Sequence, residues 1–304
     1  MNRQTDHHHH HAVPDYNRAF AVGVGLNLAF VGVEAFYGVM AGSLALLTDA
    51  GHNLSDVFGL LLAWGANALA QRKPSSRRTY GYSRATILAS LASGLLLLAA
   101  VGAITWEAIG RFMEPALPSG KVMIVVAGIG VVINTVTALF FFSGKDKDLN
   151  IRGAYLHMAA DAAVSLGVVV SGVVILKFGF AWVDPVISLV IAAVIFLSTW
   201  DLMRDSANLA VDAVPRNVDP DVVRNFLLGL PGVAGVHDLH IWAMSTTDTA
   251  LTAHLVMPDP PGNDAFLHEV TEMLHHDHGI NHATIQIERG DAETDCHQAR
   301  NCAD

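Results

Sequence analysis

The chain has 304 residues, 52% of them hydrophobic and only 15% charged, with a mean hydropathy of +0.40. That balance is too apolar for an ordinary soluble protein. The last hundred residues hold 16 Asp/Glu against 4 Lys/Arg, a formal −12 that the slightly basic remainder brings to −10 for the chain. An acidic, histidine-rich tail excludes a basic nucleic-acid surface and suits cations.

Residues 1–16 form an arm with five consecutive histidines, His7 to His11. It is either a native metal-gathering segment or a purification tag. Neutral imidazoles without fixed geometry would bind metal weakly and exchange it fast. Six apolar segments follow, at 18–40, 44–70, 85–106, 122–143, 153–176 and 182–200. A membrane-crossing helix needs about 20 mostly apolar residues. The third and fourth segments are uncharged throughout, and the other four are interrupted by ionisable residues. The first lies too far in, and is too long, for a cleavable signal peptide.

Six spans place both termini on one side. The second connection carries Arg72, Lys73, Arg77, Arg78 and Arg84, and the fourth carries Lys145, Lys147 and Arg152. The odd-numbered connections offer only Arg111, Lys121 and Lys177. The excess of basic residues predicts cytoplasmic termini in a membrane protein. The expected domains are the arm at 1–16, a six-helix membrane domain at 17–205 and a cytoplasmic domain at 206–304.

Past residue 204 the hydrophobic runs shorten. "VDPDVVRNFLLGLPGV" predicts a helix capped by Asp219, with Pro220 in its first turn. "GVHDLHIWAMS" and "TALTAHLVMP" predict two strands with "TTD" as the turn between them. "NDAFLHEVTEMLHHDHG" has helical periodicity, and "NHATIQIE" alternates as a last strand. The α-β-β-α-β order predicts a small α+β sheet covered on one face by two helices. Such a domain is small enough to gain from dimerisation. Cys296 and Cys302, the only cysteines, imply no disulfide framework.

The second span contains "TDAGHNLSD". His52 and Asp56 are four apart and share a helix face, and His157 with Asp161 repeats the spacing in the fifth span. Ionisable residues at membrane depth are expensive and usually mark an ion path. One such pair reads most simply as a polar contact. Two pairs in separate spans supply two imidazoles and two carboxylates, the ligand types of tetrahedral zinc. Asp49 reads equally as an acceptor behind the ligands or as a helix-end residue. Glu34 reads as a proton or ion relay or as a polar contact, and Asn134 and Asp184 as structural groups. Three residues apart on a regular strand, His237 and His240 are expected on opposite faces. His268, His275, His276 and His278 read as solvated.

The segments "GSLALLTDAGHNLSD", "RTYGYSRATILAS", "LNIRGAYLHMAADAAVSLGVVVSGVVI", "AWVDPVISL", "HDLHIWAMS" and "NHATIQIE" occur in this order over nearly the whole chain. With them the sequence resembles the cation diffusion facilitator family, in its zinc-transporter branch. The resemblance implies a homodimer in membrane lipid that exports divalent metal from the cytoplasm in exchange for protons. It implies a transport site of His52, Asp56, His157 and Asp161, and a ferredoxin-like cytoplasmic domain that binds metal. Carried over by position, that domain's ligands are His237, His254 and Glu288, with His282 and Cys296 as further candidates. "QRKPSSRRTYGYSR" lacks the His/Asp cluster that some relatives carry in this connection.

The expected function is secondary transport, with Zn²⁺ as cargo and as a ligand of the cytoplasmic domain, and with no catalytic cofactor. The alternatives are Co²⁺, Ni²⁺, Cd²⁺ or Fe²⁺ as cargo, or an intramembrane metalloprotease. The last would need a motif such as H-E-x-x-H, which the sequence lacks.

Overall fold

A computed structural model describes residues 17–114, 116–142 and 149–290. Six long helices come first: α1 (Asn17–Ala41), α2 (Leu44–Ala70), α3 (Ala85–Met113), α4 (Gly120–Phe142), α5 (Leu149–Phe178) and α6 (Val183–Ala210). Four of them are long and apolar enough to cross a membrane, namely α3, α4, α5 from Tyr155, and α6; α1 contributes a shorter apolar stretch, Leu28–Ala41. In α2 the run is broken by Asp49, His52, Asn53 and Asp56. The arm and Lys145 and Lys147 lie outside the described residues, as do Cys296 and Cys302.

The helices bury polar groups among their apolar contacts and expose large apolar side chains. Glu34, Thr48, Asp49, Asn134, Asp161, Ser165 and Asp184 are buried, whereas Leu61, Trp64, Leu96, Trp106, Val132, Leu139 and Leu197 are exposed. In water this arrangement would forfeit the hydrophobic effect on the outer face. In hydrocarbon it is the stable one, because only the polar groups then need partners.

Contacts divide the chain into two compact units, Met1–Val57 with Ala100–Ile195, and Phe58–Ala99 with Phe196–Asp304. Within the first, α4 and α5 pack antiparallel through glycine. A Cβ on Gly120 would fall 2.6 Å from the Gly172 carbonyl oxygen, and one on Gly130 3.1 Å from Ser165 Oγ. Extending that register one turn sets Asn134 at the level of Asp161. The start of α2 is fastened by Asp184. Its carboxylate accepts hydrogen bonds from Ser43 Oγ (2.6 Å), Leu44 N (2.7 Å) and Ala45 N (3.2 Å), and Arg111 stands 3.6 Å away. A carboxylate at a helix N-terminus satisfies free N–H groups and the positive end of the dipole. Asp184 is therefore structural, as expected.

The second unit contains α7 (Pro220–Leu228), β1 (Gly235–Ala243), β2 (Thr249–Val256), α8 (Ala265–His278) and β3 (His282–Glu288), the expected order. Asp219 caps α7 by accepting from Asp221 N and Val222 N, and Gly279 ends α8 in the left-handed region, with φ 68°. The sheet runs β1-β2-β3, antiparallel then parallel. Val223 and Leu227 of α7 and Val270 and Leu274 of α8 form a core with Val236, Ile241, Leu251, Ala253 and Leu255. Among the described residues, α7 and α8 thus cover one face of the sheet. Elsewhere in this unit Arg84 pairs with Asp212, and Thr86 Oγ1 accepts from Thr246 N.

Candidate metal centres

In α2, His52 and Asp56 point toward α5, where His157 and Asp161 answer them. His52 Nε2 lies 3.7 Å from Asp56 Oδ2 and 3.6 Å from Asp161 Oδ1, while His157 Nε2 lies 3.5 Å from Asp56 Oδ2 and 3.7 Å from Asp161 Oδ2. Imidazole and carboxylate alternate around a closed ring. Zinc–ligand bonds of about 2.0 Å at tetrahedral angles imply ligand edges of about 3.3 Å, slightly shorter than these. Across the ring the imidazole centroids stand 6.3 Å apart, so a tetrahedral ion would draw them inward.

Asp56 Oδ2 and Asp161 Oδ2 are buried without hydrogen-bond partners, and so is His52 Nδ1. Such atoms are costly unless something compensates them. A dication at the centre would compensate both carboxylates. Asp161 and His52 are closed off, with side chains 2% and 16% exposed, against 32% and 44% for Asp56 and His157. The open pair lies toward the end of α2 and the start of α5.

Asp49, one turn before His52, stays out of the ring. It is fully buried and accepts hydrogen bonds from Ser165 Oγ (2.8 Å) and Asn53 Nδ2 (3.4 Å). The sequence reading missed Ser165. Its position four residues after Asp161 was the available signal.

The second cluster stands on the open face of the sheet. His237 pairs across the strands with His254, and β3 brings Glu288 opposite Val256. His237 Nε2 is 2.9 Å from Glu288 Oε2, His254 Nδ1 is 3.0 Å from Glu288 Oε1, and the two rings meet edge to face at 5.1 Å. Among the described residues these three form the group whose donor atoms all lie within 4.8 Å of one another. The donor set, two imidazoles and a carboxylate on a rigid sheet, fits zinc. Burial acts to raise the Glu288 pKa, but the hydrogen bond and charge of His237, followed by Gln286 and His254, hold it below the ordinary value.

The expectation for His240 needs correction. The ladder skips between His237 and His240, with Asp238 at φ 50°. This bulge adds one residue, so His237 faces His254 while His240 faces Thr252, and both fall on the same face. His240 still stands apart from the trio, because its Nε2 engages Asp238 Oδ1 at 2.9 Å. Asp238 Oδ2 is in turn 3.5 Å from His254 Nε2. The sequence pattern gave no sign of Asp238 in this setting. His282 begins β3 at the end away from Glu288 and packs edge-on against Tyr80, 5.6 Å between centroids. The structure does not bring it to the cluster.

Comparison with known proteins agrees with this layout. Residues 20–209 match the cation efflux transmembrane domain, and residues 215–290 match the cation efflux protein cytoplasmic domain. The chain is similar to the metal cation efflux system protein CzcD of Cupriavidus metallidurans, 37% identical over 287 residues, with 94% of this chain and 91% of that one covered. It is 36% identical over 261 residues to the cadmium, cobalt and zinc/H(+)-K(+) antiporter of Bacillus subtilis, covering 84% of each. With the zinc transporter ZitB of Escherichia coli it shares 33% identity over 299 residues, 96% of this chain and 95% of the relative. A solved structure, the metal-bound C-terminal domain of the Cupriavidus CzcD transporter, matches 23% of the chain and 99% of its own length at 41% identity, with a TM-score of 0.21.

Proposed function

The chain belongs to the cation efflux family, the cation diffusion facilitators, and from that premise we propose that it exports Zn²⁺ from the cytoplasm in exchange for protons. Membership makes it a membrane transporter of cations and not an enzyme. The specific reading rests above all on the closed ring of His52, Asp56, His157 and Asp161. Its two nitrogens and two oxygens suit zinc better than a hard cation, which prefers all-oxygen surroundings. Relatives are named as zinc transporters.

Metal and protons compete for the same four groups, since each must be deprotonated to coordinate. Neutral imidazoles take zinc on one side of the membrane, and protons displace it on the other. With both termini cytoplasmic, the accessible pair Asp56 and His157 faces the cytoplasm, so the ring is open for loading. Residues 17–205 would carry the transport path in six spans, with the arm at 1–16 gathering metal. Residues 206–304 would bind zinc at His237, His254 and Glu288 and hold the homodimer, Cys296 adding a ligand from the tail. The decisive test is uptake of radioactive zinc into proteoliposomes under an imposed pH gradient. Saturable, gradient-driven accumulation is expected, and its absence in active, oriented protein would overturn the reading. Because one relative is named for cadmium and cobalt as well, the same vesicles should be challenged with those ions in competition.

A further inference from the structure

The helix bundle buries a second set of ionisable groups that the four-ligand ring does not use. Glu34 of α1 is 0% exposed, and neither of its carboxyl oxygens makes a hydrogen bond of good geometry. The carboxyl is turned toward Asp49 and Asn53 of α2. Asp49 is also 0% exposed, and its oxygens already receive Ser165 and Asn53. Two carboxyl groups thus meet in a region sealed from solvent.

Among the described residues, the charged groups around Glu34 are of the wrong sign or otherwise engaged. From α2 it faces Asp49, from α5 the more distant Asp161, and His52 lies one turn beyond Asp49. Helix α4, packed against α1 where Phe30 meets Gly130, has no ionisable residue after Lys121. Arg111, from α3, is engaged by Asp184, Glu107 and the Gly42 carbonyl. Two buried carboxylates without a cation repel each other strongly, and a shared proton is the cheapest relief. The buried oxygens also leave no surface for a hydrated alkali ion.

We propose that Glu34, paired with Asp49, is a proton-carrying site separate from the metal ligands and coupled to them through charge. The inference rests on the transport reading above. In the loading state the pair holds one proton on Glu34. Zinc entering the ring brings two positive charges within a low-dielectric interior, and that field favours the ionised carboxylate. The Glu34 proton then leaves to the cytoplasm. When zinc departs on the far side the field is removed, and Glu34 takes a proton from that side. One proton therefore travels inward for each zinc exported, in addition to any carried by the ring. Ser165 donates to Asp49 and stands one turn from Asp161, so the two sites share a hydrogen-bonded helix face.

The test uses the full chain. Protons released on zinc binding are counted with a pH indicator in weakly buffered detergent solution, for wild type, Glu34→Gln and Asp49→Asn. Both variants should bind zinc, because neither residue belongs to the ring, and each should release about one proton fewer per zinc. In proteoliposomes Glu34→Gln should keep zinc–zinc exchange at zero gradient while losing most gradient-driven accumulation. An unchanged proton count with unchanged accumulation would overturn the proposal. Loss of zinc binding by both variants, with the fold intact by circular dichroism, would overturn it too and make the pair part of the metal site. Replacing K⁺ with N-methylglucamine should change nothing, and a strict K⁺ requirement would assign the pair to an alkali cation instead. Failure of wild type itself to respond to a pH gradient would count against the transport reading, while the proton count still judges Glu34.

Discussion

Asp161 and Asp56 are chemically alike but differently placed, one sealed and the other within reach of solvent. Replacing either with Ala removes an anionic group from the ring and would leave a bound dication under-neutralised. Zinc uptake should fall to background in both, with circular dichroism and detergent melting close to wild type. His52→Asp keeps four ligands but exchanges a nitrogen for oxygens that bind through one or both atoms. Cadmium, larger and tolerant of more oxygen ligands, should gain on zinc in side-by-side uptake, and an unchanged ratio would remove His52 from selectivity. On the sheet, the contacts of Glu288 with His237, Gln286 and His254 outweigh burial and hold its carboxyl below the ordinary value. A lowered folded-state value adds stability above the unfolded value and loses it as pH falls through the folded one. The extra hydrogen-exchange protection of β2 and β3 amides in metal-free wild type over Glu288→Gln should therefore persist at neutral pH. It should vanish as pH falls through the carboxylate range.

At the scale of elements, one close backbone contact helps hold the bundle together. Gly120 and Gly172 let α4 and α5 touch through their backbones, and a Cβ on Gly120 would meet the Gly172 carbonyl at 2.6 Å and Leu176 N at 3.0 Å. Neither neighbour is a flexible side-chain tip, so Gly120→Ala must move a helix and should cost about 1–3 kcal/mol, read as earlier thermal unfolding in detergent. Most elements were legible beforehand. The HxxxD spacing made both halves of the ring visible because a helix returns to one face every fourth residue, and the Asp219-Pro220 start of α7 declared itself through capping chemistry. The bulge at Asp238 was not legible. Alternation cannot register an inserted residue, and an aspartate at positive φ looks like any other in the sequence. The partners of Asp184 were equally opaque, because Ser43, Leu44 and Ala45 lie some 140 residues away.

Across the whole molecule, charge and metal chemistry are divided between the bilayer-facing helices and the acidic tail. Zinc bound to the folded cytoplasmic domain adds stability by mass action, about 2.7 kcal/mol at a hundredfold excess over the dissociation constant. Calorimetry of residues 206–304 with and without zinc should show a clear upward shift, and His254→Ala should abolish more of it than Cys296→Ser. Equal melting would remove this site. Deleting residues 1–11 should raise the zinc concentration needed for half-maximal uptake while leaving the maximal rate nearly intact. A flexible arm concentrates metal without shaping the barrier.

The fastening of α2 by Asp184 has a mechanical consequence. It holds the helix at Leu44, so the rest of α2 is a lever with its fulcrum at one end. At 1.5 Å per residue, His52 lies about 12 Å from that fulcrum. A tilt of about 10° carries His52 by roughly 2 Å, comparable to a metal–ligand bond. A swing small enough to leave the fulcrum's hydrogen bonds intact is thus large enough to break the ring of ligands.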